Sequence, residues 1–126
     1  MKYLLAIYAD EGSWDEASPE EAKQFMDAYG EYTKEIQGAG VMLAGEGLEP
    51  TPSAKTVRVR GGARQVTDGP FAETKEQLGG FYLVDVGSMD EALEWAGKIP
   101  GARVGSIEVR PVLDYEALGY PAGETG

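Results

Sequence analysis

The chain has 126 residues, 42% hydrophobic and 26% charged, a length and balance suited to one core that buries roughly 68% of the unfolded surface. Eleven Lys and Arg stand against twenty-two Asp and Glu, and the resulting formal charge of -11 speaks against nucleic acid and anionic membranes as partners, since their phosphates are held by cations. Neither Cys nor His occurs, which excludes disulfides, thiolate metal sites and imidazole acid–base chemistry and makes the cytoplasm the expected location.

In chain order, Tyr3 to Ala9 is aromatic and aliphatic without clean alternation, and too short to cross a bilayer. It predicts a strand covered on both faces or central in its sheet. Asp10 to Asp15 reads as a polar loop around Gly12, with Trp14 either capping the core edge or lining a cleft. Ser18-Pro19-Glu20-Glu21 starts a helix: Ser18 caps it, Pro19 suits its first position and Glu21 completes a capping box. Ala22, Phe25, Met26, Tyr29, Tyr32, Thr33 and Ile36 then recur at steps of three and four and predict one buried stripe, ending near Gln37 before Gly38 and Gly40.

Val41 to Gly47 predicts a second strand, in which Gly45 and Gly47 flank Glu46 and allow close approach of a ligand or backbone. Pro50 and Pro52 mark a loop. Thr56 to Arg60 alternates, Gly61-Gly62 turns, and Arg64 to Thr67 returns, a half-exposed hairpin with Arg58 and Arg60 outward. Gly80 to Val86 predicts a central strand. Ser88-Met89-Asp90-Glu91 repeats the capping pattern for a second amphipathic helix closing before Pro100, and Ser106 to Arg110 alternates as a last strand ended by Pro111.

Strand, helix, strand, hairpin, strand, helix, strand is a doubled β-α-β order. It predicts an α+β fold, a ferredoxin-like split βαβ arrangement with two helices on one face of an antiparallel sheet. Residues 1–113 form the expected domain, and 114–126 a tail whose first half docks and whose end frays. The sheet face without helices needs cover, because large apolar patches are rare on monomers, and a homodimer packed through that face is the expected solution.

The densest polar stretch joins the hairpin to the next strand. Asp68-Gly69 favours a reversal, and Pro70 cannot donate to a ladder, so Asp68 to Gly80 is a connector that displays polar groups. With histidine missing, proton transfer falls to carboxylates, Lys or Tyr. Asp68 is the candidate catalytic carboxylate, tuned by an apolar cleft beside Phe71. Gly69, Pro70, Glu73, Lys75 and Glu76 from the connector, with Tyr8, Glu46 and Arg58, complete the candidate cleft. Lys75 suits an anionic substrate, and Arg58 or Arg110 a bidentate clamp on a carboxylate, so a small carboxylic acid is the expected ligand. The competing account gives Asp68 a turn-fixing role, Phe71 a place in the core, and leaves Glu73, Lys75 and Glu76 solvated. No metal-ligand spacing or nucleotide-binding motif occurs, so no cofactor is expected.

The run DGPFAETKEQLGGFYLVDV from Asp68 to Val86 resembles the DGPF motif of the YCII-related family, and MKYLLAIYADE, AGEGL, TVRVR and SIEVRPV agree along the flanks. The resemblance implies a ferredoxin-like dimeric α/β barrel with a cleft in each protomer. It also implies small soluble bacterial proteins, in some relatives encoded beside extracytoplasmic-function sigma factors. Some relatives look like lyases or dehydrochlorinases that act on small cyclic acids through a His/Asp pair. This chain lacks the His, so that mechanism does not transfer, while Asp68 and Asp85 remain available to a different site. Two readings follow: a cleft that binds, or transforms by a lyase-like or isomerase-like route, a small acidic metabolite, or a non-catalytic dimeric partner protein linked to sigma-factor-associated regulation.

Overall fold

The structure is a computed structural model and describes residues 1–121; the fraying expected of the last five positions falls outside the described residues. In chain order it contains β1 (Lys2–Ala9), α1 (Glu11–Asp15), α2 (Pro19–Gly38), β2 (Met42–Gly47), β3 (Lys55–Arg60), β4 (Ala63–Asp68), β5 (Gln77–Asp85), α3 (Met89–Gly97) and β6 (Ser106–Pro111). Single 3-10 turns follow β2, at Thr51–Ser53, and α3, at Pro100–Arg103. Four strands form one sheet in the order β2-β5-β1-β6, with every pairing antiparallel. This mixed α+β architecture is compatible with the ferredoxin-like arrangement.

Alternation along the central strands sorts side chains to two faces. Tyr3 and Leu5 of β1 and Tyr82 and Val84 of β5 turn to one face, where they meet Tyr32 and Ile36 of α2, Ala92 and Ala96 of α3, and Ile99. Leu5, Ile36, Ile99 and Val84 are fully enclosed, each such side chain contributing about 1.5–3 kcal/mol relative to exposure. Two hydroxyls pin the helices over this layer. Tyr32 donates to the Trp95 carbonyl at 2.9 Å, and Thr33 and Tyr82 share a hydrogen bond at 2.7 Å. The other face carries Leu4, Ala6 and Tyr8 from β1 and Phe81 and Leu83 from β5, paired across the ladder as Leu4 with Leu83 and Ala6 with Phe81. No helix covers it.

Local signals explain the helix starts. Ser18 accepts from the Glu21 amide at 3.1 Å while Glu21 accepts from the Ser18 amide at 3.3 Å, so the capping box is complete. At α3 Ser88 accepts from the Glu91 amide, but the Glu91 carboxylate reaches one residue further back, to the Gly87 amide at 2.9 Å. The expected box is thus half formed there.

Four expectations need correction. Asp10 to Asp15 is a short helix: the Asp10 carboxylate accepts from the Gly12 amide at 2.9 Å and caps it. Trp14 there leans on Phe25, with ring centroids 5.7 Å apart. Met26 is exposed, because α2 rests on the sheet through Tyr29, Tyr32 and Ile36. β5 begins at Gln77, where a bulge between Ile7 and Tyr8 carries the pairing on to Leu78 and Gln77. The hairpin β3–β4 is open to solvent on both faces, since its strands pair with each other in a separate two-stranded sheet. Among the described residues no helix is long and apolar enough to cross a membrane.

Candidate functional site

The connector after β4 begins at Gly69, whose φ of 90° suits a residue without a side chain. The Gly69 amide donates to the Ala54 carbonyl at 2.7 Å and its carbonyl accepts from the Thr56 hydroxyl at 2.9 Å. These bonds hold the chain against the root of the hairpin. From the opposite side α1 delivers Glu11. Its carboxylate accepts from the Thr51 amide at 2.9 Å and the Thr51 hydroxyl at 2.7 Å, while its own amide donates to Gln77 Oε1 at 3.0 Å. Gln77 Nε2 in turn donates to the Thr74 carbonyl, and the Thr74 hydroxyl donates to the Glu76 carbonyl at 2.6 Å.

Between these braces lies an open cleft of about 390 Å³, within the usual range for a small-molecule site. Pro52, Pro70 and Ala72 give its apolar wall, Thr51, Thr74 and Gln77 its neutral polar groups, and Glu73 its one ionic group. Hydrogen bonds of Glu11 and Gln77 tie its walls to α1 and to the start of β5.

The expected site residues do not converge. Gly69, Pro70 and Glu73 line the cleft. Glu76 instead accepts from the Ser106 hydroxyl at 2.9 Å, tying the connector to β6. Lys75 is exposed and in no ion pair among the described residues. Asp68 sits at the end of β4 in an ion pair with Lys55, its side chain 86% exposed. It stands in solvent rather than in an apolar cleft beside Phe71. Phe71 neither plugs the core nor lines the cleft; it is 78% exposed. Arg58 stands on the hairpin opposite Gln65. Tyr8 and Glu46 belong to the helix-free sheet face, where Glu46 is opposite Phe81 and Tyr8 opposite Ser106. Asp85 binds the N-terminal ammonium at 2.9 Å, at the far end of β5. Glu11, Thr51, Thr74 and Gln77 escaped the sequence reading. Their only local signals are a carboxylate and hydroxyls beside turns, which occur throughout the chain.

A larger depression of about 550 Å³ lies between α2 and the turn after α3, with Lys34, Lys98, Arg103, Glu31 and Glu35 around it. Lys98 pairs with Glu35 at 3.0 Å and Lys34 with Glu31 at 3.9 Å. Most of its charges therefore answer one another in solvent. Nearby, burial raises the hydroxyl pKa values of Tyr29 and Tyr32 above their ordinary value. Both phenols act in packing, Tyr29 by accepting the Gly101 amide at 3.2 Å. Among the described residues no group of three His, Cys, Asp or Glu could hold a metal ion.

A sequence model of the YCII-related domain matches residues 1–116. An uncharacterised protein of Rhizobium meliloti (strain 1021) is 42% identical over 124 residues, a match spanning 97% of this chain and 100% of that protein. The chain belongs to the YCII-related family.

Proposed function

We propose that this is a cytoplasmic small-molecule-binding protein whose site is the cleft between the Thr51 turn and the connector. The observation that carries the reading is the pair of hydrogen bonds that Thr51 donates to Glu11, which holds a polar wall in place around a cavity of ligand size. The ligand is a small carboxylic acid that also carries hydroxyl or amino donors. Its donors meet Glu73 and the threonine hydroxyls, and Lys75, which follows Thr74 in the chain but is not part of the cleft wall, is the cation proposed for its carboxylate. Binding is the primary activity. A proton-transfer step, of a lyase-like or isomerase-like kind, would fall to Glu73, with Asp68 outside the cavity.

The functional unit is a homodimer, a dimeric α/β barrel in which a second copy covers Leu4, Phe81 and Leu83 on the helix-free face. A thermal-shift screen over small hydroxy and amino acids tests the ligand. A rise in melting temperature that Glu73→Gln and Lys75→Ala each abolish supports the reading, and no rise across such a panel overturns it. The exposure of Phe71 favours one further reading, a non-catalytic partner protein in sigma-factor-associated regulation. In that case Phe71→Ser would abolish binding to a purified sigma factor and leave metabolite shifts absent throughout.

A further inference from the structure

Among the described residues the hairpin of β3 and β4 is an arm that rests on no other part of the sheet. Its two strands pair only with each other, and Thr56 alone among their twelve positions is even half-buried. An isolated two-stranded hairpin is marginal in water and needs packing on one face. This one is built for such packing. Val57 stands opposite Val66, with Val59 two positions along the same face, and all three are about half exposed or more. Arg64, opposite Val59, borders that stripe, while Arg58 and Arg60 occupy the reverse face. Residues 55–68 hold four of the chain's eleven cations and one of its twenty-two acids, so the arm is basic and apolar on a strongly acidic protein.

A surface that suits it is apolar with an acidic margin, and the chain carries one. The helix-free face presents Leu4, Phe81 and Leu83; Glu46 borders it on the β2 edge, and Glu108, with Arg110 two positions along the same face, borders it on the β6 edge. The arm emerges at the sheet end where β2 finishes and β5 starts, and the Gly69 amide on the Ala54 carbonyl closes its root. From these observations we infer that the arm clasps a second copy of the chain, its Val57, Val59 and Val66 stripe lying on the margin of the partner's helix-free face with Arg64 against the acids there. Opposite charge at that margin sets the register and speeds encounter. The inference rests on the dimer proposed above and names the element that completes it.

The chain has no cysteine, so a single Ala63→Cys substitution near the arm's turn accepts a benzophenone photo-crosslinker. Equal amounts of isotope-labelled and unlabelled full-length chain are mixed, irradiated and mapped by mass spectrometry, with mass in solution measured by sedimentation. The expected result is a dimer whose adducts join the arm of one isotope to peptides containing Glu46 or Glu108 of the other. Val57→Ser with Val66→Ser should cut those adducts and weaken the dimer by about tenfold, with the circular dichroism of the folded core retained. A dimer whose adducts are all within one chain overturns the arm's role and leaves the dimer standing. A monomer at all concentrations overturns both. Adducts that form only when a duplex oligonucleotide is added overturn the inference in favour of a nucleic-acid arm.

Discussion

Glu11 takes both hydrogen bonds that Thr51 offers, from the amide at 2.9 Å and from the hydroxyl at 2.7 Å, across forty positions of chain. Through that contact the helix after β1 fixes the turn after β2. Glu11→Ala leaves the half-buried Thr51 amide without its acceptor and should cost about 1.5–3 kcal/mol, the range for a bond to a charged group. Glu11→Gln keeps one acceptor oxygen and should cost less. Urea denaturation checks the order, and equal midpoints for the two variants would show that the brace is not structural.

Asp68 is the most conspicuous acid in the sequence, yet its partner Lys55 is 65% exposed beside it. Ion pairs in that setting contribute little. Asp68→Asn should therefore change stability by less than about 0.5 kcal/mol and leave any metabolite-induced thermal shift unaltered. Loss of ligand binding in this variant would return Asp68 to the site.

Two glycines should respond in opposite directions. A Cβ on Gly105 would sit 2.1 Å from the Tyr8 carbonyl oxygen, where β6 begins beside β1. Gly105→Ala should destabilise by about 3 kcal/mol, because backbone rather than a mobile side chain must give way. Gly30 lies inside α2 with nothing within 4 Å of its added Cβ. Gly30→Ala should stabilise by about 0.5–1 kcal/mol, as the helix gains propensity without a clash. Thermal melts of the pair test the geometry of both places.

Alkaline pH should destabilise the fold through the phenols under α2. Burial holds the Tyr32 hydroxyl above its ordinary pKa, with Tyr82, Glu35 and Tyr29 adding to the shift. Burial does the same for Tyr29, partly offset by the Gly101 amide. The unfolded chain then releases these protons first, at about pH 10. Stability is unaffected by them below that value and falls as pH rises beyond it. Urea midpoints at about pH 8 and about pH 11 should show the drop, and Tyr32→Phe should shrink it. An undiminished drop in the variant would assign the effect elsewhere.

The order of the main elements along the chain and both main helices were legible because their causes are local. The Ser18 and Ser88 caps, the three-and-four spacing through Tyr29, Tyr32 and Ile36, and the Gly61-Gly62 turn each act within a few residues. The short helix at Glu11–Asp15 was missed because its cap is a single Asp10 bond on five residues, too brief for periodicity to register. Met26 was placed in the core because the stripe was drawn one residue too wide.

The candidate site was far less legible. Sequence proximity suggested that Asp68, Phe71, Glu73 and Glu76 act together, but the turn at Gly69 sends Asp68 onto the arm, Phe71 into solvent and Glu76 to Ser106, leaving Glu73 in the cleft. The groups that shape the cavity, Glu11, Thr51 and Gln77, come from three separate parts of the chain.

By itself the sequence determined the family, through the connector and its flanks, and the element order, through caps, periodicity and turns. It also settled which chemistry is absent, since a chain without His or Cys cannot supply imidazole or thiolate. Only the tertiary structure decided which polar groups meet, and that the hairpin stands apart from the sheet. The physical reason is range: caps and amphipathic stripes are written within a few residues, whereas the Glu11–Thr51 brace and the free arm depend on how distant segments pack.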